Sequence, residues 1–152
     1  MQILKADFLI LDLLFESCEI DYTDLKKSDI DKAFFTEYSN QRVVNSFLFN
    51  YIKIQDKIGA KVFKNLLYEL KEISDYSMPM IDVLNTLEKM NIIESADDWD
   101  RLREIRNNIT HDYPADIEER IENINLALEG YEMLKKIFIR IKDYSVSRGL
   151  LG

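Results

Sequence analysis

Apolar side chains recur every three or four residues along most of the chain, and this spacing restricts the fold to packed helices. The pattern is clearest near the end of the sequence, at Ile117, Ile121, Ile124, Leu128, Tyr131, Leu134 or Lys135, Phe138 and Ile141. Charged residues lie between them, so this segment predicts a long helix with one buried face. Only four glycines and two prolines are present, which leaves few of the turns that a β-rich fold needs.

The same spacing, read along the whole chain, predicts an all-α bundle of about five helices that forms one domain over residues 1–152. Helical segments are predicted over about 5–17, 28–51, 54–73, 79–90, 97–112 and from 117 onward. The polar residues 19–27 are expected to form a connection, and Gly59 to weaken its helix without breaking it. Ser95, followed by Asp98, resembles a capping box. Pro114 disfavours helical geometry at Tyr113, so a helix should end or kink there.

Composition indicates a soluble globular protein, because 47% of the residues are hydrophobic and 32% are charged. Asp7, Asp12 and Glu16 interrupt the apolar N-terminal residues, and no run approaches the ~20 apolar residues of a membrane span. The single cysteine, Cys18, cannot form an internal disulfide and is expected to be a small buried hydrophobe. We therefore expect a cytoplasmic protein that has no membrane partner.

The net charge of -8 argues against broad electrostatic attraction to nucleic acid or to anionic lipid. An RNA-binding site in this chain would have to be a locally basic cleft.

One segment, residues 101–114, departs from ordinary bundle composition. It holds the only histidine and Arg101, Arg103 and Arg106. Its core reads R-x4-H-x-Y, formed by Arg106, His111 and Tyr113. On an ideal helix, residues five apart are separated by about 140° and ~7.5 Å, so a long arginine and a histidine at a helix end could still share a cleft.

These residue types suit cleavage of RNA without a metal. His111 could transfer a proton near neutral pH, since an unperturbed imidazole has a pKa near 6.5. Arg106 could hold a phosphate through two hydrogen bonds, and Tyr113 offers a hydroxyl as a donor or a site of modification. A base would remove the ribose 2′-OH proton while an acid protonates the departing 5′-oxygen. No metal site is predicted, because the chain has one histidine and neither a CxxC nor an HExxH motif.

The single imidazole per chain also predicts a homodimer. Efficient proton transfer of this kind uses an acid and a base, and one chain supplies only one histidine. A two-fold dimer that joins two motifs in one groove would supply two copies of His111 and of Arg106.

The motif resembles the R-x4-6-H motif of the HEPN superfamily, and the downstream tyrosine resembles the HepT branch, the toxin half of HEPN/MNT toxin–antitoxin pairs. Arg106 matches the family arginine, His111 the histidine and Tyr113 the tyrosine, while Asn107 matches the polar residue that often follows the arginine. The helix number and the place of the motif before a long final helix are also similar to a HEPN fold.

The resemblance implies a dimeric, metal-independent endoribonuclease without a cofactor, with catalytic residues Arg106 and His111 in a cleft at the dimer interface. Asn107 and Tyr113 would support that site. It also implies an MNT-type nucleotidyltransferase antitoxin as a partner, which uses ATP to attach AMP to Tyr113. The added phosphate and adenosine groups would block the cleft and repel RNA.

Ordinary structural roles remain open for the same residues. The three arginines could form a solvated face paired with Asp97, Asp98, Asp100 and Glu104. Trp99 is expected in the core rather than as a base-stacking surface, and the aromatic residues Phe34, Phe35, Tyr38, Phe47, Phe49 and Tyr51 are expected in the core or in a dimer interface. The alternative functions are a non-catalytic HEPN module that binds nucleotides or assists a nucleotidyltransferase, and a plain helical scaffold.

Overall fold

The computed structural model describes residues 2–110 and 116–152, and every regular element within these ranges is helical. The elements are α1 (Gln2–Lys26), a short 3-10 turn (Phe34–Thr36), α2 (Tyr38–Lys57), a π turn (Ile58–Val62), α3 (Phe63–Glu69), α4 (Met80–Lys89), α5 (Ala96–Thr110) and α6 (Ile117–Ser147). Because α2, the π turn and α3 follow one another without a break, they form one rod over residues 38–69. The prediction of an all-α bundle of about five helices is confirmed.

Three predicted boundaries in the first half of the chain are wrong, and one of them is the start of the second helix, which was expected near residue 28 and lies at Tyr38. The first helix continues through residues 19–26, where a connection was expected. Tyr22 and Leu25 continue the face on which Cys18 is buried, so burial of that face outweighs the turn propensity of the polar residues between them. The second and third predicted helices are a single rod, and Gly59 lies in the π turn inside it.

Helices α4 and α5 begin near the residues expected at their starts, Pro79 and Ser95, and Asp116, which was not predicted, caps α6. Pro79 precedes α4 with extended backbone geometry. The Ser95 hydroxyl accepts a hydrogen bond of 3.1 Å from the Asp97 amide at the start of α5, and the Asp116 carboxylate accepts one of 2.9 Å from the Glu118 amide at the start of α6. The expected end or kink at Pro114 lies outside the described residues.

The core is centred on aromatic side chains of α1, α2 and α6. Tyr131 of α6 packs against Phe15, Tyr22 and Phe47, and Phe138 stacks on Phe15 with ring centroids 4.5 Å apart. Each aromatic pair of this kind adds about 0.5–1.5 kcal/mol beyond the area that it buries. The rings therefore fix α6 against both α1 and the rod.

The predicted assignment of six aromatic residues to the core holds for four of them. Phe34, Phe35, Phe47 and Tyr51 are buried, whereas Tyr38 and Phe49 are exposed. Tyr38 is the first residue of α2, and Phe49 lies two residues after Phe47, a separation that turns it about 200° from the buried face.

Cys18 is fully buried, as predicted, and its thiol points to the Phe47 carbonyl oxygen at 3.8 Å. Burial, with the negative charges of Asp21 and Glu19 nearby, raises the pKa of the thiol to about 12. The thiolate, which is the nucleophilic form, is therefore negligible at neutral pH. Cys18 is a packing residue.

None of the helices in residues 2–110 and 116–152 combines the length and the apolar character needed to cross a membrane.

Gly130 allows α6 to approach the rod closely. A Cβ atom at this position would lie 2.5 Å from the Tyr51 hydroxyl and 3.3 Å from Ile105 Cδ1. The Tyr51 side chain is fully buried, so it has no open space into which it could move. A glycine is required here for packing, although glycine is ordinarily a poor residue inside a helix.

We therefore predict that Gly130→Ala destabilises the protein by about 1–3 kcal/mol, although the same change in an open helix stabilises by about 0.5–1 kcal/mol. Urea unfolding followed by circular dichroism measures the effect. The double variant Tyr51→Phe/Gly130→Ala removes the clashing oxygen and should recover part of the loss. If the single variant is as stable as the wild type, Gly130 does not set the helix spacing.

Candidate functional site

A cleft of about 470 Å³ lies between the C-terminal end of α2, the π turn, the start of α4 and one face of α5. Two predicted site residues, Arg106 and Asn107, line it. Asp56, Trp99 and Met80 form other parts of its wall.

The π turn places α5 close to the rod. Gly59 lies in this turn, and a Cβ atom on it would be 3.0 Å from Cζ2 of Trp99. Trp99 is buried, as predicted, and its ring makes an edge contact with Phe63 at a centroid distance of 4.8 Å. π turns inside helices occur frequently at functional sites. Here the turn and the missing side chain together admit the indole ring.

Asp56 lies on the same helix face as Gly59, and Arg106 lies on the same face as Trp99. The side chains of Asp56 and Arg106 are in contact. Asp56 lies three residues before Gly59, and Arg106 lies seven residues, or two turns, after Trp99. Arg106 donates hydrogen bonds from Nε to Asp56 Oδ1 at 2.6 Å and from Nη2 to Asp56 Oδ2 at 2.8 Å. This parallel two-point geometry fixes the plane of the guanidinium group.

The hydrogen bonds to Asp56 raise the pKa of Arg106, which as an arginine is already charged over the working pH range. The pair is partly exposed, with 29% of the Arg106 side chain and 47% of the Asp56 side chain accessible. Solvent screening limits the contribution of such a pair to stability to about 1 kcal/mol. Its larger effect is orientation, because a carboxylate now holds the predicted phosphate-binding arginine.

The other two arginines of the motif segment are also paired. Arg103, which lines the cleft, lies 3.0 Å from Asp100, one of the predicted surface partners. Arg101 lies 3.6 Å from Glu129 of α6, which the sequence did not suggest. Both pairs are exposed, so the solvated-face interpretation describes Arg101 and Arg103 better than it describes Arg106.

Asn107 follows Arg106 on the exposed edge of the cleft, where an amide can contact a bound ligand. His111 and Tyr113 lie outside the described residues. The described part of α5 ends at Thr110, one residue before His111. The structure therefore places two of the four predicted site residues, and it brings both of them to one cleft.

Gln55 and Asp56 were not predicted from the sequence. Asp56 had no local signal, because its partner is 50 residues away. Gln55 had a local signal in the sequence, because it is a polar residue four positions after Tyr51 and therefore lies on the buried face of α2. Gln55 is 2% exposed, and within residues 2–110 and 116–152 neither its amide oxygen nor its amide nitrogen has a hydrogen-bond partner. A buried polar side chain without a hydrogen-bond partner is rare in proteins and calls for an explanation.

Among the described residues, no group of three or more histidine, cysteine, aspartate or glutamate side chains is arranged to hold a metal ion.

We predict that Gln55→Leu raises the free energy of unfolding by about 1–2 kcal/mol, because an unpartnered buried amide is replaced by an apolar side chain of similar size. Asn65→Leu is the matched control. The Asn65 amide donates to Asp7 at 2.9 Å, so its loss should lower stability. Urea titrations of the three proteins compare them. A lower stability of Gln55→Leu would show that the amide has a favourable contact in solution.

Comparisons with known proteins leave the chain without an assigned family. No protein-family model, no curated protein and no solved structure matches it. Its similarity to the HEPN superfamily consists of the R-x4-H-x-Y motif and the helical pattern.

Proposed function

We propose that this protein is a metal-independent endoribonuclease toxin of the HEPN/MNT type. The observation that carries the proposal is the placement of Arg106 and Asn107 in one cleft, on the helix whose described part ends one residue before His111 in the sequence. The pairing of Arg106 with Asp56 supports it, since a fixed guanidinium plane is what two-point recognition of a phosphodiester requires.

The proposed reaction is an internal transfer at phosphorus. The ribose 2′-oxygen attacks the adjacent phosphorus while its proton passes to a base. The bond from phosphorus to the 5′-oxygen breaks, and an acid protonates that oxygen. The products are a 2′,3′-cyclic phosphate and a 5′-hydroxyl. His111 is the proposed proton-transfer group, and Arg106 stabilises the charge that develops on the phosphoryl oxygens.

Asp56 is a positioning residue in this account. It contacts Arg106 and not the RNA, and it keeps the guanidinium group aligned along the cleft wall. Its negative charge also offsets that of Arg106, so a single chain presents little net positive charge to a phosphate.

A homodimer would supply the second proton-transfer group that one chain lacks, because each chain has a single histidine. Two chains that meet at the cleft face would bring together two His111 imidazoles, one as base and one as acid, and two Arg106 guanidinium groups. Each guanidinium group would still be paired with its own Asp56, so the second chain adds a second group that can hold a phosphate rather than net positive charge.

We predict that the purified wild type cleaves cellular RNA in EDTA and that His111→Ala lowers the rate by about 10²–10⁴-fold, the usual contribution of a proton-transfer group. Arg101→Ala is the matched control, because Arg101 is exposed and pairs with Glu129 away from the cleft. It should cleave at the wild-type rate. Equal cleavage by wild type and His111→Ala would contradict the proposal.

Neutralisation would occur at Tyr113, where a nucleotidyltransferase partner transfers AMP from ATP to the phenolic oxygen and releases pyrophosphate. We predict that incubation with such a partner and ATP adds one or more AMP masses to the wild type and none to Tyr113→Phe. Tyr38→Phe, which changes a strongly exposed tyrosine elsewhere, should still be modified. Mass spectrometry of the intact chains measures the added mass. Modification of Tyr113→Phe to the wild-type extent would exclude Tyr113 as the acceptor.

One observation favours a second function. Asp56 pairs with Arg106 and Asp100 pairs with Arg103, so the cationic side chains that line the cleft have carboxylate partners. Cations neutralised in this way attract a polyanion such as RNA only weakly, which favours the alternative of a non-catalytic module that binds a nucleotide or assists a nucleotidyltransferase. Nucleotide binding by calorimetry, together with no cleavage by chains shown by mass spectrometry to be unmodified, would select this function.

A further inference from the structure

Helix α1 carries apolar side chains on two opposite faces. One face lies against α2 and α6 and contributes Leu4, Phe8, Leu11 and Phe15 to the core. The opposite face is exposed along its whole length. We refer to its six central residues as the α1 seam: Ile3, Ala6, Ile10, Leu13, Ser17 and Ile20.

The α1 seam exposes large side chains to an unusual degree. Ile3 is 66% exposed, Leu13 65%, Ile20 63% and Ile10 46%, and Leu9 beside them is 57% exposed. None of the six seam positions is charged. A helix that is apolar on both sides is normally covered on both sides, and a contiguous exposed apolar surface marks an interaction site.

The spacing of the α1 seam indicates a second helix as its partner. Successive seam residues are separated by three, four, three, four and three positions, the repeat of a two-helix coiled-coil seam. The seam spans about 25 Å of helix. A helix with a similar repeat would interdigitate with it at a crossing angle of about 20°.

The order of side-chain sizes in the α1 seam is symmetric about its centre. It reads large, small, large from Ile3 to Ile10, and again large, small, large from Leu13 to Ile20. When two copies run antiparallel, Ile10 of one faces Leu13 of the other, and the small Ala6 faces the small Ser17. Ile3 then faces Ile20 of the second copy. The spacing is equally symmetric, so a two-fold axis at the centre pairs every residue of one seam with a residue of the other.

The charges beside the seam favour the antiparallel direction. In a parallel pair, Glu16 of one copy would lie beside Asp21 of the other, and Asp24 would meet its own copy. Both contacts join like charges. In the antiparallel pair, Glu16 lies beside the apolar N-terminal half of the second helix, near Leu9, and these repulsions disappear.

We infer that the α1 seam binds the α1 seam of a second copy of this chain, as an antiparallel helix pair about a two-fold axis. The four large apolar side chains of each seam and the adjacent Leu9 make ten in the two copies, and together they would remove on the order of 700 Å² of apolar surface from water. A standard interface buries about 1,200–2,000 Å², of which about 60% is apolar. The seam therefore supplies the apolar area of a stable interface.

This interface is separate from the Arg106 cleft. The residues that line the cleft belong to the rod, α4 and α5, and α1 contributes none of them. Where two chains also meet at the cleft face, the seam joins such dimers into a larger assembly. The inference thus goes beyond the proposed function and does not depend on RNA cleavage.

The test is the mass of the full-length protein in solution, measured by light scattering on a size-exclusion column. We expect the double variant Ile10→Glu/Leu13→Glu to have half the mass of the wild type, because four carboxylates would meet in the centre of the interface. Phe49→Glu, an equally drastic change at an exposed aromatic residue outside the seam, should keep the wild-type mass. Circular dichroism verifies that each variant remains helical.

A charge-swap variant tests the direction. In Ile10→Lys/Leu13→Glu, the lysine introduced at position 10 faces the glutamate introduced at position 13 of the second copy only when the helices run antiparallel. We expect this variant to keep more of the paired species than the double glutamate variant. Equal masses for the wild type and the double glutamate variant would overturn the seam interface, and equal dissociation of both double variants would overturn its antiparallel register.

Discussion

The close approach of α5 to the π turn is the constraint on which the site depends. Gly59 offers no side chain where the indole of Trp99 packs, and the π turn shifts the helix register at that point. With this contact in place, helical geometry brings Asp56 and Arg106 together two turns along α5. Gly130 has the same effect for α6 against Tyr51. These two glycines thus set the spacing of the helices, and the contacts of the larger side chains around them depend on that spacing.

The electrostatics of the cleft follow from the acidic composition. Arg106 is the cation best placed to hold a phosphate, yet a carboxylate fixes it and offsets its charge. A chain of net charge -8 gains little from long-range attraction to RNA. The proposed nuclease therefore relies on short-range geometry and on a second motif, and the α1 seam offers a separate surface through which copies associate.

Much of the fold could be predicted because it rests on local rules. The stripe on α6 is buried from Ile124 onward as its spacing indicates, and Pro79 and Ser95 lie at helix starts as expected. The error over residues 19–26 arose because burial of Leu25 outweighs local turn propensity. Asp56 could not be predicted, since its pairing with Arg106 depends on how two distant helices pack. Gln55 could have been noticed as a polar residue in a buried register.

The most direct test of the central claim is the chemistry of the RNA ends. An RNA oligonucleotide is incubated with the unmodified protein in EDTA, and the products are analysed by mass spectrometry. Attack by the 2′-hydroxyl predicts a 2′,3′-cyclic phosphate, or its ring-opened form, on one fragment and a 5′-hydroxyl on the other. A 3′-hydroxyl with a 5′-phosphate, or an intact oligonucleotide, would contradict the account.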